Sequence, residues 1–296
     1  MRLLICIDDT DTLDTKGTGS IAEELCGLIK AQGFGICGEI TRHQLLLHED
    51  VPYTSHNSSM CFDCTAADGC RETMLPHLYA YLKKESAPEA NPGLAAADID
   101  DSRLDQQALL NYGLDAKHIL LTKEQSYDLA HENGIYLAEA GRTGQGVVGA
   151  LAGIGLRLGG NDGEIRGGIK DFKKGRIYSI SQLKQSGRIQ TVCDLEGHSL
   201  AAEEHVLVVW KAKPLLLNHQ VTLLVRPSKE AGIWSTMEKE EMRAYGDLRT
   251  SPKDCGSFAP DVEEEQVYAP IQSCANCRYR RWTSEGFHCT ICSISS

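Results

Sequence analysis

The feature that most constrains this chain is its start, where an apolar run passes directly into a group of carboxylates. Residues 3–7 (LLICI) contain no polar side chain, and Asp8-Asp9-Thr10-Asp11-Thr12 follows at once. The run predicts a short buried strand whose carboxyl end opens into a site, as strand ends do in open α/β sheets. Asp8, Asp9 and Asp11 repel one another at neutral pH, so they are either fully solvated or neutralised by a hard cation such as Mg²⁺. We call these three residues the aspartate corner.

A helix is predicted shortly after the aspartate corner. Ser20 and Glu23 have the spacing of a capping box with Ser20 as N-cap, and Gly33 is a natural stop. Four hydroxyl or cationic side chains then crowd the start of this helix, where free N–H groups favour a phosphate: Thr15, Lys16, Thr18 and Ser20. Together with the carboxylates they predict a phosphoryl-transfer site. The alternative is an Asx-rich turn with ordinary helix capping.

A glycine-rich turn marks a second informative block. Thr122 is expected to cap a helix over residues 123–132, and residues 135–138 are expected to form a strand. The turn 141–146 (GRTGQG) and an apolar helix over residues 147–155 follow. A strand, a glycine-rich turn and a helix in this order let backbone N–H groups approach a phosphate or another polar ligand. Tight helix packing is the other explanation for so many small residues.

Both blocks carry a resemblance to one known family. The motif IDDTDT with the following GTGS, and the segment GQGVVGALAGIG at residues 144–155, resemble motifs of the archaeal agmatinylcytidine synthetases, which modify the wobble cytidine of an isoleucine tRNA. The resemblance implies an ATP-dependent kinase-like domain, a ferredoxin-like domain, an oligonucleotide-binding type β module and a zinc ribbon. It implies Mg²⁺ held by Asp8, Asp9 and Asp11, and phosphorylation of a threonine matched by Thr18, with Thr15 as the alternative.

Further candidate ligand-binding residues are Lys16 and Ser20 at the helix start and Thr10 in the acidic motif. The resemblance adds Arg42, Asn57, Gly144, Gly146 and Val147, with Pro52, Tyr53 and Thr54 in a stretch beside the active site. Arg142 or Arg166 is a candidate for stabilising the charge of a transferring phosphate, although either is equally well explained as a surface arginine. The alternative for the stretch from Arg42 to Asn57 is an ordinary strand followed by a polar loop without a role in ligand binding.

The C-terminus carries the strongest single motif, two C-x₂-C pairs formed by Cys274, Cys277, Cys289 and Cys292. Pairs separated by a short hairpin supply four thiolates for tetrahedral Zn²⁺, as in zinc ribbons. Between the pairs lie side chains that suit contact with phosphates and bases: Arg278, Arg280, Arg281 and Trp282. The alternative is that the ribbon only staples the fold or contacts a protein. Cys61, Cys64 and Cys70 have the composition of a second metal site, or are free thiols.

The length, net charge and apolar segments of the whole chain limit the classes of protein to which it can belong. At 296 residues it is long enough for several modules, and its net charge of −11 argues against wholesale non-specific binding of nucleic acid, but not against a tRNA held by local basic patches. No signal peptide or apolar segment of membrane-spanning length is visible, so a cytoplasmic protein is expected. The predicted fold is α/β (α+β), with a kinase-like domain at 1–113, a ferredoxin-like domain at 114–190, a small β module with an acidic linker at 191–268, and a zinc ribbon at 269–296.

These features predict an ATP- and Mg²⁺-dependent enzyme that also binds zinc and acts on tRNA or another RNA, with a small amine such as agmatine as second substrate. In the chemistry that the resemblance implies, phosphoryl transfer activates a cytidine for attack by the amine. The chain is shorter than the archaeal enzymes, so a relative that acts on another RNA or amine, or performs only the ATP step, fits as well. The competing hypothesis is a non-catalytic zinc-ribbon protein that binds nucleic acid.

Overall fold

The computed structural model describes residues 1–48, 51, 57–228, 232–238, 259, 277–283 and 286–289, the strands within 280–289 by their backbone alone. Its helices are α1 (Thr18–Ala31), α2 (Arg71–Glu85), α3 (Gln106–Asp115), α4 (Lys123–Glu132), α5 (Gly146–Leu158) and α6 (Ile180–Gln185). Its strands are β1 (Arg2–Asp8), β2 (Gly35–Cys37), β3 (Thr41–Gln44), β4 (Ser58–Ala66), β5 (Gly93–Asp98), β6 (Tyr136–Glu139), β7 (Glu164–Ile165), β8 (Ile177–Ser179), β9 (Thr191–Cys193), β10 (His205–Leu207), β11 (Leu215–Leu217), β12 (Gln220–Pro227), β13 (Trp234–Thr236), β14 (Arg280–Thr283) and β15 (Gly286–Cys289).

The predicted mixed α/β class is confirmed, and the chain divides into two compact units. The first unit contains residues 1–167 and 215–221, and the second contains the described residues of 168–214 and 222–296. The predicted kinase-like and ferredoxin-like stretches therefore share the first unit for most of their length. The finer division at 113, 190 and 268 stays a prediction. No described helix is long and apolar enough to cross a membrane.

The first unit is built on an antiparallel sheet with the strand order β6-β5-β1-β4-β3-β7-β11, and β2 also pairs with β4. β1 lies at the centre and pairs with both β4 and β5, so Cys6 faces Cys61 on one side and Ala95 on the other. Helices cover both faces, which explains why the apolar run of β1 does not alternate with polar residues. The sheet is not parallel, so the strand-end rule for parallel sheets is not the reason that a site forms at Asp8.

Two hydrophobic cores lie on the two faces of this sheet. On one face α1 and α2 contribute Leu25 and Leu78 against Ile5 and Phe62 of the sheet. On the other face α3 and α5 contribute side chains such as Leu109 and Ile154, which pack with Cys6 and Cys61. The side chains of a strand alternate between its faces, and this alternation decides which core each residue enters. The aspartate corner therefore stands at one end of a strand that is fixed from both sides.

The second metal site considered for Cys61, Cys64 and Cys70 is excluded by this alternation. Cys61 and Cys64 are three residues apart on β4, so they point to opposite faces and enter different cores. The thiol of Cys70 donates to the carbonyl oxygen of Phe34 at 3.1 Å. Burial in the two cores explains Cys61 and Cys64, because a thiol is a small and nearly apolar side chain.

The second unit holds a small β module. β12 pairs with β13 antiparallel and with β9 parallel, β13 pairs with β10 parallel, and β10 pairs with β8 antiparallel. Its core contains Ile180 and Leu183 of α6 together with Val192, Val206 and Leu223 from the strands. The described strands of this unit agree with the small β module expected from the sequence. Farther along, β14 and β15 form an antiparallel hairpin between the two cysteine pairs, as expected for the C-terminal motif.

Candidate active site at the aspartate corner

The backbone leaves the extended conformation immediately after β1. Asp9 has a φ of 50°, a left-handed conformation that residues other than glycine adopt rarely and often at functional sites. α1 then starts at Thr18 with Gly17 as N-cap and no side-chain cap. The prediction of Ser20 as N-cap was wrong, because the helix begins two residues earlier. Glu23 accordingly makes an ion pair with Arg166 and does not close a capping box.

Asp8 is a buried carboxylate at the very end of β1, with 8% of the residue exposed. Burial, followed by the like charge of Asp9, raises the pKa of Asp8 to about 8. Asp11 adds a smaller effect in the same direction. A carboxylate whose charged neighbours are carboxylates is stabilised by any cation that reaches it.

Asp9 is oriented by Asn91, a residue that the sequence motifs did not single out as functional. Burial raises the pKa of Asp9, whereas hydrogen bonds from the backbone and side chain of Asn91 oppose that rise. The side-chain oxygen of Asn91 also accepts the N–H of Thr143 at 2.8 Å, and its carbonyl oxygen accepts the N–H of Gly146 at 3.0 Å. Asn91 thus joins the aspartate corner to the glycine-rich turn.

Of the two candidate threonines, Thr18 is the one whose hydroxyl lies within the aspartate corner. Its Oγ1 donates to Asp11 Oδ1 at 3.0 Å and accepts from Thr10 Oγ1 at 2.9 Å, and both threonines are buried. Thr15, the alternative, is exposed and bonds with its own turn, where its Oγ1 accepts the N–H of Thr12 at 2.8 Å. Thr18 is therefore the threonine next to a carboxylate of the corner.

Three predicted ligand-binding residues have other partners. Lys16 Nζ lies 2.6 Å from Glu24 Oε2 and 2.7 Å from Glu85 Oε2, and the hydrogen bonds with these two carboxylates raise the pKa of Lys16. Ser20 Oγ accepts from Arg166 at 3.1 Å. Arg42 pairs with Glu164 at 3.0 Å. Of the two arginines considered for phosphate charge, Arg166 lies at the start of α1 and Arg142 is exposed.

The glycine-rich helix meets the aspartate corner directly. A Cβ at Gly149 would lie 1.7 Å from Asp8 Oδ2, so only glycine leaves room for this carboxylate. Gly146 approaches the backbone oxygen of Asp8 in the same way. Val147 is fully buried, and Gly144 has a φ of 65° beside Glu139. The two sequence blocks therefore form one site, with Gly146 and Gly149 closest to the aspartates.

A pocket of about 260 Å³ opens beside Asp8 and Asp9. Its polar lining includes Asn57 and Gln145 in addition to the two aspartates, and the rest of its wall is mainly aliphatic. The aliphatic residues of this wall were not recognised in the sequence: Leu45, Leu46, Val51, Ala116, Ile119, Leu120, Leu121 and Val148. Asn57 holds this wall in place because its Nδ2 donates to the carbonyl oxygen of Leu46 at 2.7 Å. Apolar walls with a few convergent polar groups are typical of small-molecule sites.

The oxygen atoms of the corner suit a hard divalent cation. Carboxylates and hydroxyls are the donors that Mg²⁺ prefers, and the mutual repulsion that acts on Asp8 is what such an ion would relieve. The residues present therefore fit the Mg²⁺ that the sequence predicts.

The C-terminal motif lies mostly outside the described residues. Cys274 and Cys292 are not among them, Cys277 is buried, and Cys289 ends β15. Arg278 is exposed, whereas Arg280, Arg281 and Trp282 are described as backbone of β14. Pro52, Tyr53 and Thr54 also lie outside the described residues. Zinc binding and RNA contact by this segment stay predictions.

Comparison with known proteins gave matches among solved structures alone. No family model and no curated protein matches the chain. A tRNA fluorescent labelling enzyme is 21% identical to this chain, with a TM-score of 0.46. TiaS in complex with an isoleucine tRNA and ATP is 20% identical, also with a TM-score of 0.46. Each of these two matches covers 52% of this chain and 36% of the other protein. Apo TiaS, a tRNA agmatidine synthetase, is 19% identical with a TM-score of 0.43, over 52% of this chain and 35% of that one. The matched region thus spans about a third of the solved proteins.

Proposed function

We propose that this chain is an ATP- and Mg²⁺-dependent enzyme that modifies tRNA, with a chemistry similar to that of the agmatinylcytidine synthetases. The observation that carries the proposal is the contact between the buried Thr18 hydroxyl and Asp11 inside the aspartate corner. A hydroxyl that donates to a carboxylate at the start of a helix is the arrangement of an activated nucleophile beside an anion-binding site. The motif resemblance points to the same residues.

Asp8, Asp9 and Asp11 are the residues that would hold Mg²⁺. When bound, the ion would neutralise the charge on the nucleotide phosphates. In this proposal Asp11 accepts the proton of Thr18, the Thr18 oxygen forms a bond to the γ-phosphorus of ATP, and the bond between that phosphorus and the β–γ bridging oxygen breaks, so that ADP leaves. The first N–H groups of α1 contribute donors for phosphate oxygens. Hydrogen bonds from Asn91 keep Asp9 oriented, and the lack of a side chain at Gly149 leaves room for the carboxylate of Asp8.

In the second stage of the proposed chemistry the phosphoryl group is transferred to the C2 oxygen of a cytidine, an amine such as agmatine attacks C2, and the oxygen leaves as inorganic phosphate. The pocket beside Asp8 and Asp9 has a volume for a small molecule and an aliphatic wall, and in this proposal it holds the nucleotide that supplies the phosphoryl group. The identity of the amine and of the RNA rests on the sequence resemblance.

We also propose that Cys274, Cys277, Cys289 and Cys292 bind Zn²⁺ and that Arg278, Arg280, Arg281 and Trp282 contact RNA. The β14–β15 hairpin between the two cysteine pairs agrees with a zinc ribbon. Metal analysis of the reduced protein is expected to give about one zinc per chain, as a four-thiolate site binds a single ion. Protein purified without zinc and still retaining its RNA affinity would contradict the proposal.

The function is tested by incubating purified protein with ATP labelled at the γ-phosphate, with and without tRNA. Label is expected on the protein or the RNA, and Asp9→Asn and Thr18→Val are expected to abolish it. Thr15→Val is the matched control and should keep the label, because Thr15 bonds only within its own turn. A wild-type protein that binds tRNA but never takes up or transfers label would contradict the proposal and favour the non-catalytic binder.

A further inference from the structure

Lys117 is a buried cation that the proposed site does not use. Its side chain is 5% exposed, and its Nζ lies 3.0 Å from Asp162 Oδ2 and donates to the carbonyl oxygen of Gln44 at 2.6 Å. Asp162 Oδ1 lies 2.8 Å from Nδ1 of the buried His43. Removing two charges from water is costly, and a buried ion pair is by itself weak evidence for stability. This pair therefore invites an explanation other than stability.

The location of Lys117 supplies that explanation. Ala116 immediately before it and Ile119 shortly after it line the pocket, and Gln44 directly precedes the lining residues Leu45 and Leu46. Residues 45–48 and 116–121 belong to no helix or strand, so no regular hydrogen-bond ladder fixes their distance. Between them the backbone N–H of Leu46 donates to Ala116 at 3.1 Å, and the ammonium group of Lys117 adds the bond to Gln44.

We infer that Lys117 is a positioning residue, whose ammonium group, neutralised by Asp162, holds the two irregular segments that form the aliphatic wall of the pocket. The bond to Gln44 fixes one segment to the other, and the pair with Asp162 anchors both to the loop before β7. The expected loss is therefore in ligand affinity. For the identity of the ligand this inference rests on the proposed function.

The test removes both charges together. In Lys117→Met/Asp162→Asn neither partner is left as an uncompensated buried charge, so the protein should fold with a melting temperature close to that of the wild type. Its affinity for MgATP, measured by calorimetry, should fall about tenfold or more, because a displaced wall misplaces the ligand. Wild-type affinity in this folded double variant would overturn the inference.

The control removes another ion pair of the same network. Arg157 pairs with Asp63 at 2.6 Å and donates to Thr41 Oγ1 at 2.7 Å, near the end of α5 that is away from the pocket. Arg157→Met/Asp63→Asn should leave MgATP affinity unchanged. An equal loss of affinity in both double variants would overturn a positioning role and indicate a general effect on the fold.

A second readout separates this inference from the proposed function. If wild-type protein binds no MgATP, the proposed function fails. Amide hydrogen exchange then tests by itself whether Lys117 holds the two segments of the pocket wall together. Peptides covering residues 44–48 and 114–121 should exchange faster in the Lys117 double variant, whereas peptides of β1 and β5 should not change. Identical exchange at the two pocket segments would overturn the inference without reference to any ligand.

Discussion

Two carboxylates of the first unit, the buried Asp8 and the half-buried Asp162, differ in what surrounds them. Burial alone would raise the pKa of Asp162, but the charge of Lys117 and the hydrogen bond with His43 outweigh burial and hold it well below its usual range. Asp8 has other carboxylates nearby, and burial followed by the charge of Asp9 raises its pKa to about 8. One carboxylate is neutralised by the protein itself, and the other is destabilised by it.

This difference separates a carboxylate whose charge is compensated within the chain from one whose charge is left for a ligand to compensate. A buried charge that is paired within the chain needs nothing from outside, and removing its partner costs stability. A buried charge that faces like charges lowers the stability of the protein, and such groups are common where a ligand or metal ion supplies the missing compensation. We therefore expect Asp8 and Asp162 to respond in opposite ways to the same substitution.

The largest effect is expected when each carboxylate is replaced by its amide. Asp162→Asn leaves Lys117 buried without its counter-charge and should lower the free energy of unfolding by about 3 kcal/mol. Asp8→Asn removes repulsion within the corner and should raise that free energy by about 1 kcal/mol in the absence of Mg²⁺. Urea denaturation of both variants measures the two values.

Mg²⁺ provides the control for that pair of variants. A ligand that binds only the folded state raises the melting temperature, so added Mg²⁺ should stabilise the wild type and Asp162→Asn but not Asp8→Asn. If both substitutions destabilise the protein by a similar amount, the distinction between the two carboxylates is wrong.

A smaller effect on stability, but a large effect on binding, is expected from Gly149→Ala. The new methyl group would lie 1.7 Å from Asp8 Oδ2, so the carboxylate must move while the helix stays in place. Overpacking of this kind should cost about 1–2 kcal/mol and should abolish stabilisation by Mg²⁺.

The matched control for Gly149→Ala is Gly27→Ala in α1. Nothing lies within 4 Å of a Cβ built at Gly27. Alanine is the better helix former by up to about 1 kcal/mol, so this variant should be neutral or slightly more stable and should keep the response to Mg²⁺. If Gly149→Ala behaves like Gly27→Ala, the close packing of α5 on Asp8 has no functional role.

The parts of this fold that could be predicted from the sequence are those with local causes. Thr122 caps α4, whose bounds at Lys123 and Glu132 are those expected from the capping signal and from Asn133-Gly134. The strand at residues 135–138 and the apolar helix that begins near Val147 are likewise confirmed. Each of these signals lies within a few residues of the element that it marks.

The features that were missed depend on partners far away in the chain. β4 was read as a cysteine-rich segment, because its apolar residues face two cores that exist only after β1 and the helices have assembled. Asn91 contacts Asp9, and Lys117 contacts Gln44 and Asp162, over separations that no local pattern encodes. The acidic motif could locate the corner, but not the residues that orient it or form the pocket wall.

The smallest expected effect decides which cation neutralises Asp162. The groups that face His43 are Asp162, Arg157 and Lys117, and burial is the main cause of its lowered pKa. As the pH falls, an unfolded chain with the usual histidine pKa near 6.5 therefore binds a proton before the folded protein does. The contribution of His43 to the free energy of unfolding is thus fully present above that pH and is lost as the pH drops below it.

One such group contributes a slope of at most about 1.4 kcal/mol per pH unit. Urea denaturation between pH 7.5 and pH 5.5 should show a steeper loss for the wild type than for His43→Gln, in which this group is absent. Equal slopes would mean that His43 takes up its proton in the folded protein and shares the neutralisation of Asp162 with Lys117. A steeper slope for the wild type would mean that Lys117 is the cation that neutralises Asp162, a cation that Asp8 does not have beside it among the described residues.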